Sequence, residues 1–122
     1  MLTHNEQIAT DPESIILAYL KSFESRDLPS CVGFFAEDGF INFQRGIFRG
    51  SESIERWHVD RFEADARIES VESIRVNGDT VIIDAAVSSK QLSTWRITGL
   101  SGRLTVRFQN GKIKEFELSR RG

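Results

Sequence analysis

FFAEDGFINFQRGIFRG, residues Phe34 to Gly50, places five phenylalanines among seventeen positions and sets Asn42, Gln44 and Arg45 between them. Aromatic and β-branched side chains suit a pleated, half-buried surface. Phe40 to Phe43 therefore reads as a first strand, with Ile41 and Phe43 on one face and Phe40 and Asn42 on the other. Arg45-Gly46 turns the chain, and Ile47-Phe48 makes a short return strand. So many rings beside so few polar groups make either a core or the wall of a site.

Upstream, Asp11-Pro12 announces a helix, because Asp caps the free N–H groups and Pro loses nothing at the first helical position. Ile16, Tyr19, Leu20 and Phe23 recur at helical spacing, so Tyr19 points inward. Asp27, Leu28 and Pro29 end that helix and cap a short second one, expected to carry Val32, Phe34 and Phe35 until Glu37-Asp38-Gly39 stops it. Residues 1–10, polar and aperiodic, read as a flexible arm ahead of a single domain spanning 11–122.

Downstream, Gly50-Ser51 opens a third helix with Ser51 as the expected cap and Glu52 in its first turn. Ile54, Trp57, His58, Arg61 and Phe62 fall along one side of it. After Asp65 the β-rich runs take over. Asn77-Gly78 and Asn110-Gly111 are favoured type I′ hairpin dipeptides, so the strands flanking each should be antiparallel neighbours. The connection from Ser88 to Gly102, which includes Trp95, shows no clean turn. Helices first and a meandering antiparallel sheet after them give an α+β fold with the helices on one face.

A chain of 122 residues makes one domain with one core. Charged residues at 28% and hydrophobic ones at 39% are ordinary for a globular protein and argue against disorder. Sixteen Lys and Arg against eighteen Asp and Glu leave a formal charge of −2, so no basic excess exists to neutralise phosphates and nucleic acid is not an expected partner. The first residues lack the basic and apolar regions of a secretory signal, and no apolar run suits a membrane span; a soluble, cytoplasmic protein is expected. Cys31, the single cysteine, excludes an internal disulfide and a thiolate-rich zinc site, and reads as a small packed hydrophobe. His58 and Asp60 splay apart on a helix, so no metal is expected, and RGIFRG lacks the context of a phosphate loop.

Taken in order, the helix, the short helix, FFAEDGFINF, the Gly-Ser helix start with Ile54 and Trp57, and VRFQNGKIKEFEL resemble the nuclear transport factor 2-like superfamily from about Ile15 to Leu118. Within it, the chain is most similar to the SnoaL-like polyketide cyclases and the ketosteroid isomerases. The resemblance implies a cystatin-like cone: a strongly bent antiparallel sheet wrapped around three helices, open to an apolar pocket at one end. It also implies a homodimer through the outer sheet face, no cofactor, and a small apolar ligand bordered by Phe43 and Phe116.

Residue by residue, the resemblance to the isomerases is partial. Phe43 stands where they carry their basic aspartate, and Leu104 or its neighbour where they carry a protonated acid, so the steroid reaction is not implied. Tyr19 matches their tyrosine, and His58 the pocket tyrosine that hydrogen-bonds it. Asp84, Ala86 and Leu118 do not reproduce the Asp-Arg-Asp set of the related epoxide hydrolases.

The candidate catalytic residues are thus Tyr19, His58 and Asp84, and the candidate ligand-binding residues Phe43, Arg45, Trp57, Trp95 and Phe116. Tyr19 and His58 come from helices whose apolar faces both turn to the sheet, so they can share a hydrogen bond. They then either move a proton or satisfy each other beneath the core. Asp84 interrupts VIIDAAV; its side of the strand is either the pocket, which alignment by the Asn77-Gly78 turn favours, or the solvent and dimer face. Arg45 is placed to hold an anionic group at the cone mouth, or is merely solvated. Trp57 and Trp95 stack on a planar ligand or simply pack. The functional expectation is an acid–base isomerase, cyclase or dehydratase acting on an apolar cyclic compound, with a non-catalytic ligand-binding or dimerisation module of the same fold as the alternative.

Overall fold

The computed structural model describes residues 11–94 and 100–120. The expected arm at 1–10, and Trp95, lie outside these residues.

Helix α1 spans Pro12–Glu24 and begins as its sequence requires, with the Asp11 carboxylate accepting from the Ser14 N–H at 3.1 Å. Ile15, Ile16, Tyr19 and Phe23 form its buried stripe. Helix α2, Leu28–Gly33, is capped in the same way by Asp27. It ends earlier than expected: Phe34 is its C-cap and Phe35 already belongs to strand β1, Phe35–Phe43. The aromatic pair leaves the helix because Phe35 lies beside Ile113 of a distant strand, and the Ile113 N–H donates to the Phe34 carbonyl at 2.9 Å. Glu37-Asp38-Gly39 is therefore an irregularity inside the strand, where the register shifts between Phe35 and Phe40. Gly39 suits it, since a Cβ there would stand 2.7 Å from the Ile113 carbonyl oxygen.

Phe43 pairs with Gly46 across a two-residue turn of Gln44 and Arg45, which begins strand β2, Gly46–Arg49. Helix α3, Ser51–Glu63, follows. Its cap position belongs to Gly50 rather than Ser51, because the chain enters with φ +88°, a conformation glycine adopts without cost. Strand β3, Arg67–Asn77, and strand β4, Thr80–Ser88, form a hairpin; helix α4, Lys90–Thr94, leads away from it. Strand β5, Leu100–Gln109, and strand β6, Lys112–Arg120, form a second hairpin.

Asn110 and Gly111 both take positive φ, as a type I′ turn demands. The other hairpin differs. Asn77 pairs with Thr80, which leaves Gly78 and Asp79 as the loop, and of the two only Gly78 has positive φ. That is the type II′ pattern, displaced one residue from the expected turn.

The six strands run in the order β2-β1-β6-β5-β4-β3. Four of the pairings are antiparallel, but β1 and β6 run parallel, which the expected wholly antiparallel meander did not contain. The sheet is curved and unclosed, and register shifts in β1, β3 and β5–β6 mark its irregular positions. Val81, Ile83, Leu104, Val106, Phe108, Ile113 and Phe116 turn their side chains to α1 and α3, completing one core. Cys31 is buried within it, and burial foremost, with Asp27 adding, pushes its thiol up to about 12. Among the described residues, no helix is long and apolar enough to cross a membrane.

Candidate functional site

Two consecutive residues of α3, Trp57 and His58, define the interior. His58 is fully buried, and its Nε2 lies 2.7 Å from the Tyr19 hydroxyl of α1. Its Nδ1 lies 2.8 Å from the Ile54 carbonyl oxygen one turn back. A carbonyl only accepts, so Nδ1 carries the proton, and Nε2 must then accept from the Tyr19 O–H. Rings of Phe23, Phe35, Trp57 and Phe62 surround the imidazole, and Phe116 lies 5.4 Å from the Tyr19 ring. This apolar enclosure holds the imidazole at about 4, against a small opposing pull from the Ile54 bond. Burial also drives the Tyr19 phenol well above its ordinary value. At neutral pH the imidazole is neutral, the phenol keeps its proton, and each N–H and O–H donor of the pair is satisfied.

Trp57 has the opposite character. Its indole is almost fully buried, 2% exposed, yet Nε1 finds no hydrogen-bond partner among the described residues. Phe43, at the end of β1, packs edge-on against it at 5.6 Å, and Phe116 lies 5.7 Å away on β6. Arg61, one turn further along α3, lays its guanidinium carbon 4.7 Å from the Phe43 ring centre and 5.7 Å from that of Trp57. Arg61 Nε is also buried without a partner, and burial lowers the guanidinium's pKa, with Asp60 pulling weakly the other way. Sequence reasoning put Arg61 on the buried stripe but assigned it no role. The signal was there: a cation four residues after Trp57 on an apolar face has either to find a carboxylate or to await a ligand.

Asp84 does not join this site. Its flanking residues Ile83 and Ala85 face the core, so alternation turns Asp84 to the outer face of the sheet. There Arg103 donates to it through Nε at 2.7 Å and Nη2 at 3.1 Å, with Ser73 at 3.3 Å and Arg75 at 3.8 Å. The apolar residues Val81, Ile83 and Ala85 pack on the core, so alternation along β4 leaves Asp84 on the opposite face rather than in a pocket. Arg45 is exposed in the β1–β2 turn. Phe40 lies off the core, stacked under the Arg49 guanidinium at 4.4 Å. Hollows in the described surface include one of about 510 Å³ between α1 and β3 and one of about 400 Å³ beside α2, and neither of these is lined by Tyr19, His58, Trp57 or Arg61. Among the described residues, no group of three or more His, Cys, Asp or Glu is placed to hold a metal ion.

The profile of the SnoaL-like domain family matches residues 16–116, and the chain belongs to that family. Solved structures share the fold at low identity. A putative polyketide cyclase from Sinorhizobium meliloti superposes with a TM-score of 0.76 at 20% identity, over 86% of this chain and 93% of that one. A protein of cystatin-like fold from Xanthomonas campestris gives 0.78 at 17%, over 92% of both chains. SalBIII, an epoxide hydrolase/cyclase-like enzyme of pyran ring formation in the polyether salinomycin, gives 0.78 at 15%, over 90% of both. No curated protein sequence matches the chain.

Proposed function

We propose that this is a SnoaL-type small-molecule-binding protein whose ligand, a mostly apolar ring compound, lies at the end of the cone against Phe43, Trp57 and Phe116. The observation that carries the reading is the indole N–H of Trp57, enclosed yet without an acceptor. An unmade hydrogen bond of this kind costs about 1–3 kcal/mol, which a bound acceptor recovers. The rings about it offer flat apolar walls. Two of the similar structures belong to proteins named for cyclisation or ring formation, which suits a cyclic ligand.

The geometry favours binding over acid–base turnover by the residues first considered. His58 meets its only free lone pair with the Tyr19 proton, and its low basicity makes it a poor base near neutrality. Asp84, across the sheet, is engaged by Arg103. Isomerase, cyclase or dehydratase chemistry would thus need a proton carrier other than Tyr19, His58 and Asp84. A homodimer through the outer sheet face is part of the same proposal. On that face Asp84 with Arg103 and Glu115 with Arg107 neutralise each other within the chain, so a second copy can pack over it without burying unpaired charge there; sedimentation at rising concentration checks it.

The test is NMR of two side chains with 2-methylnaphthalene as the apolar probe. The His58 ring should stay neutral from alkaline pH down to about 4, while the Trp57 indole N–H should shift as the probe is added. An imidazole that titrates near neutrality and responds to the probe would restore the acid–base reading. A Trp57 resonance that ignores the probe would remove the binding site.

A further inference from the structure

We propose that Trp57 and Arg61 form an anion clamp, and that the ligand held at the end of the cone is a planar aromatic monocarboxylate. The inference rests on the binding reading above and narrows its ligand class.

Both unpartnered atoms, Trp57 Nε1 and Arg61 Nε, are donors, so together they select an acceptor and reject a donor. Arg61 also carries a full charge. The ion pairs found among the described residues join Arg26, Arg67, Arg75, Arg103, Arg107 and Lys114 to carboxylates, and none of them includes Arg61. Its Nε is nevertheless buried. Arg61 is only partly buried and the Asp60 carboxylate already acts on it, but its enclosed Nε has no acceptor among the described residues, and an anionic ligand supplies one.

The number of charges settles the kind of anion. One guanidinium and one neutral N–H balance a single negative charge, and burying a phosphate dianion here would leave charge uncompensated. A carboxylate is the monoanion that a guanidinium edge holds with two parallel hydrogen bonds. Phe43 supplies the remaining wall: its ring packs on Trp57 at 5.6 Å and under the Arg61 guanidinium at 4.7 Å. Phe43 and Trp57 meet edge to face, with 79° between their planes, and a flat ring can join this edge-to-face cluster where a branched aliphatic acid offers neither ring face nor ring edge.

The decisive experiment compares 2-naphthoate with 2-naphthamide, a neutral mimic of nearly the same shape. Binding is followed through the Trp57 indole N–H and the Arg61 Nε–H in NMR spectra. Naphthoate should shift both signals and bind at least about tenfold more tightly than the amide. In Arg61→Gln the preference for the acid over the amide should disappear; among the described residues Arg61 joins no ion pair, so the fold should tolerate the change. Equal binding of acid and amide, with Trp57 shifted by both, would overturn the clamp and leave the ring-binding site standing. No response of Trp57 to either compound at millimolar concentration would overturn both. A naphthoate preference that survives Arg61→Gln would place the anion elsewhere and refute the assignment.

Discussion

Trp57 and His58 are neighbours on one helix, equally buried and in ring contact at 4.9 Å, yet they are opposites. The imidazole has one partner for each nitrogen, supplied by Tyr19 and Ile54. Among the described residues the indole N–H has none, and beside it Arg61 lays a cation on two rings without an ion-paired carboxylate. A completed network joins α1 to α3 and has nothing left to offer a ligand. An incomplete one keeps its donors for a visitor. Type of side chain alone would point the other way, because tyrosine and histidine look catalytic and tryptophan looks like packing.

The contrast breaks most severely if His58 proves dispensable. His58→Ala removes a ring from the aromatic core and orphans the Tyr19 hydroxyl and the Ile54 carbonyl, so urea denaturation should show a loss of about 4 kcal/mol. The closed half of the comparison also predicts acid sensitivity. The unfolded imidazole takes a proton near 6.5 and the folded one near 4, so between these values the unfolded state binds more protons. The stability His58 contributes is full above the higher value and declines as pH falls toward the lower one, by about 3 kcal/mol in all. Denaturation midpoints across that window should show the decline, and His58→Gln should flatten it.

Tyr19→Phe keeps the ring and deletes the donor to Nε2; a loss of about 2 kcal/mol in the same assay fits a structural knot. Asp84→Asn, on the outer face, should cost less than Tyr19→Phe because the Arg103 freed by it remains 40% exposed. It should leave probe binding unchanged, and a changed affinity would show that the two sheet faces communicate. Smallest is Arg61→Leu, expected within about 0.5 kcal/mol of the parent protein, since the cation–π contacts it loses on Phe43 and Trp57 are offset by apolar packing of the leucine on the same rings. A large loss there would mean that Arg61 is structural after all, and the two halves of the contrast would become one.

Much of the architecture was legible. Asp11-Pro12 and Asp27 named the helix starts, the periodic stripes named Tyr19 and His58 as inward, and the two Asn-Gly dipeptides located the hairpins. The misreadings are local and share a cause. Phe35 entered the sheet because Ile113, 78 positions along the chain, waits beside it, and no window of local sequence contains that partner. The Gly78-Asp79 turn slid one residue, and the apolar face of β4 packed on the core, which left Asp84 on the outer face in an ion pair with Arg103. Trp95 lies outside the described residues.

Periodicity and capping chemistry by themselves determined that this chain is α+β, that one stripe of each long helix is buried, and that Tyr19, Trp57, His58 and Arg61 share an interior. Those are properties of neighbours within a turn or a strand, and local sequence encodes them. Which of the four has its hydrogen bonds completed was decided only by the tertiary structure. Satisfaction depends on ångström-scale approach between α1, α3 and β1, and sequence spacing carries no such distances.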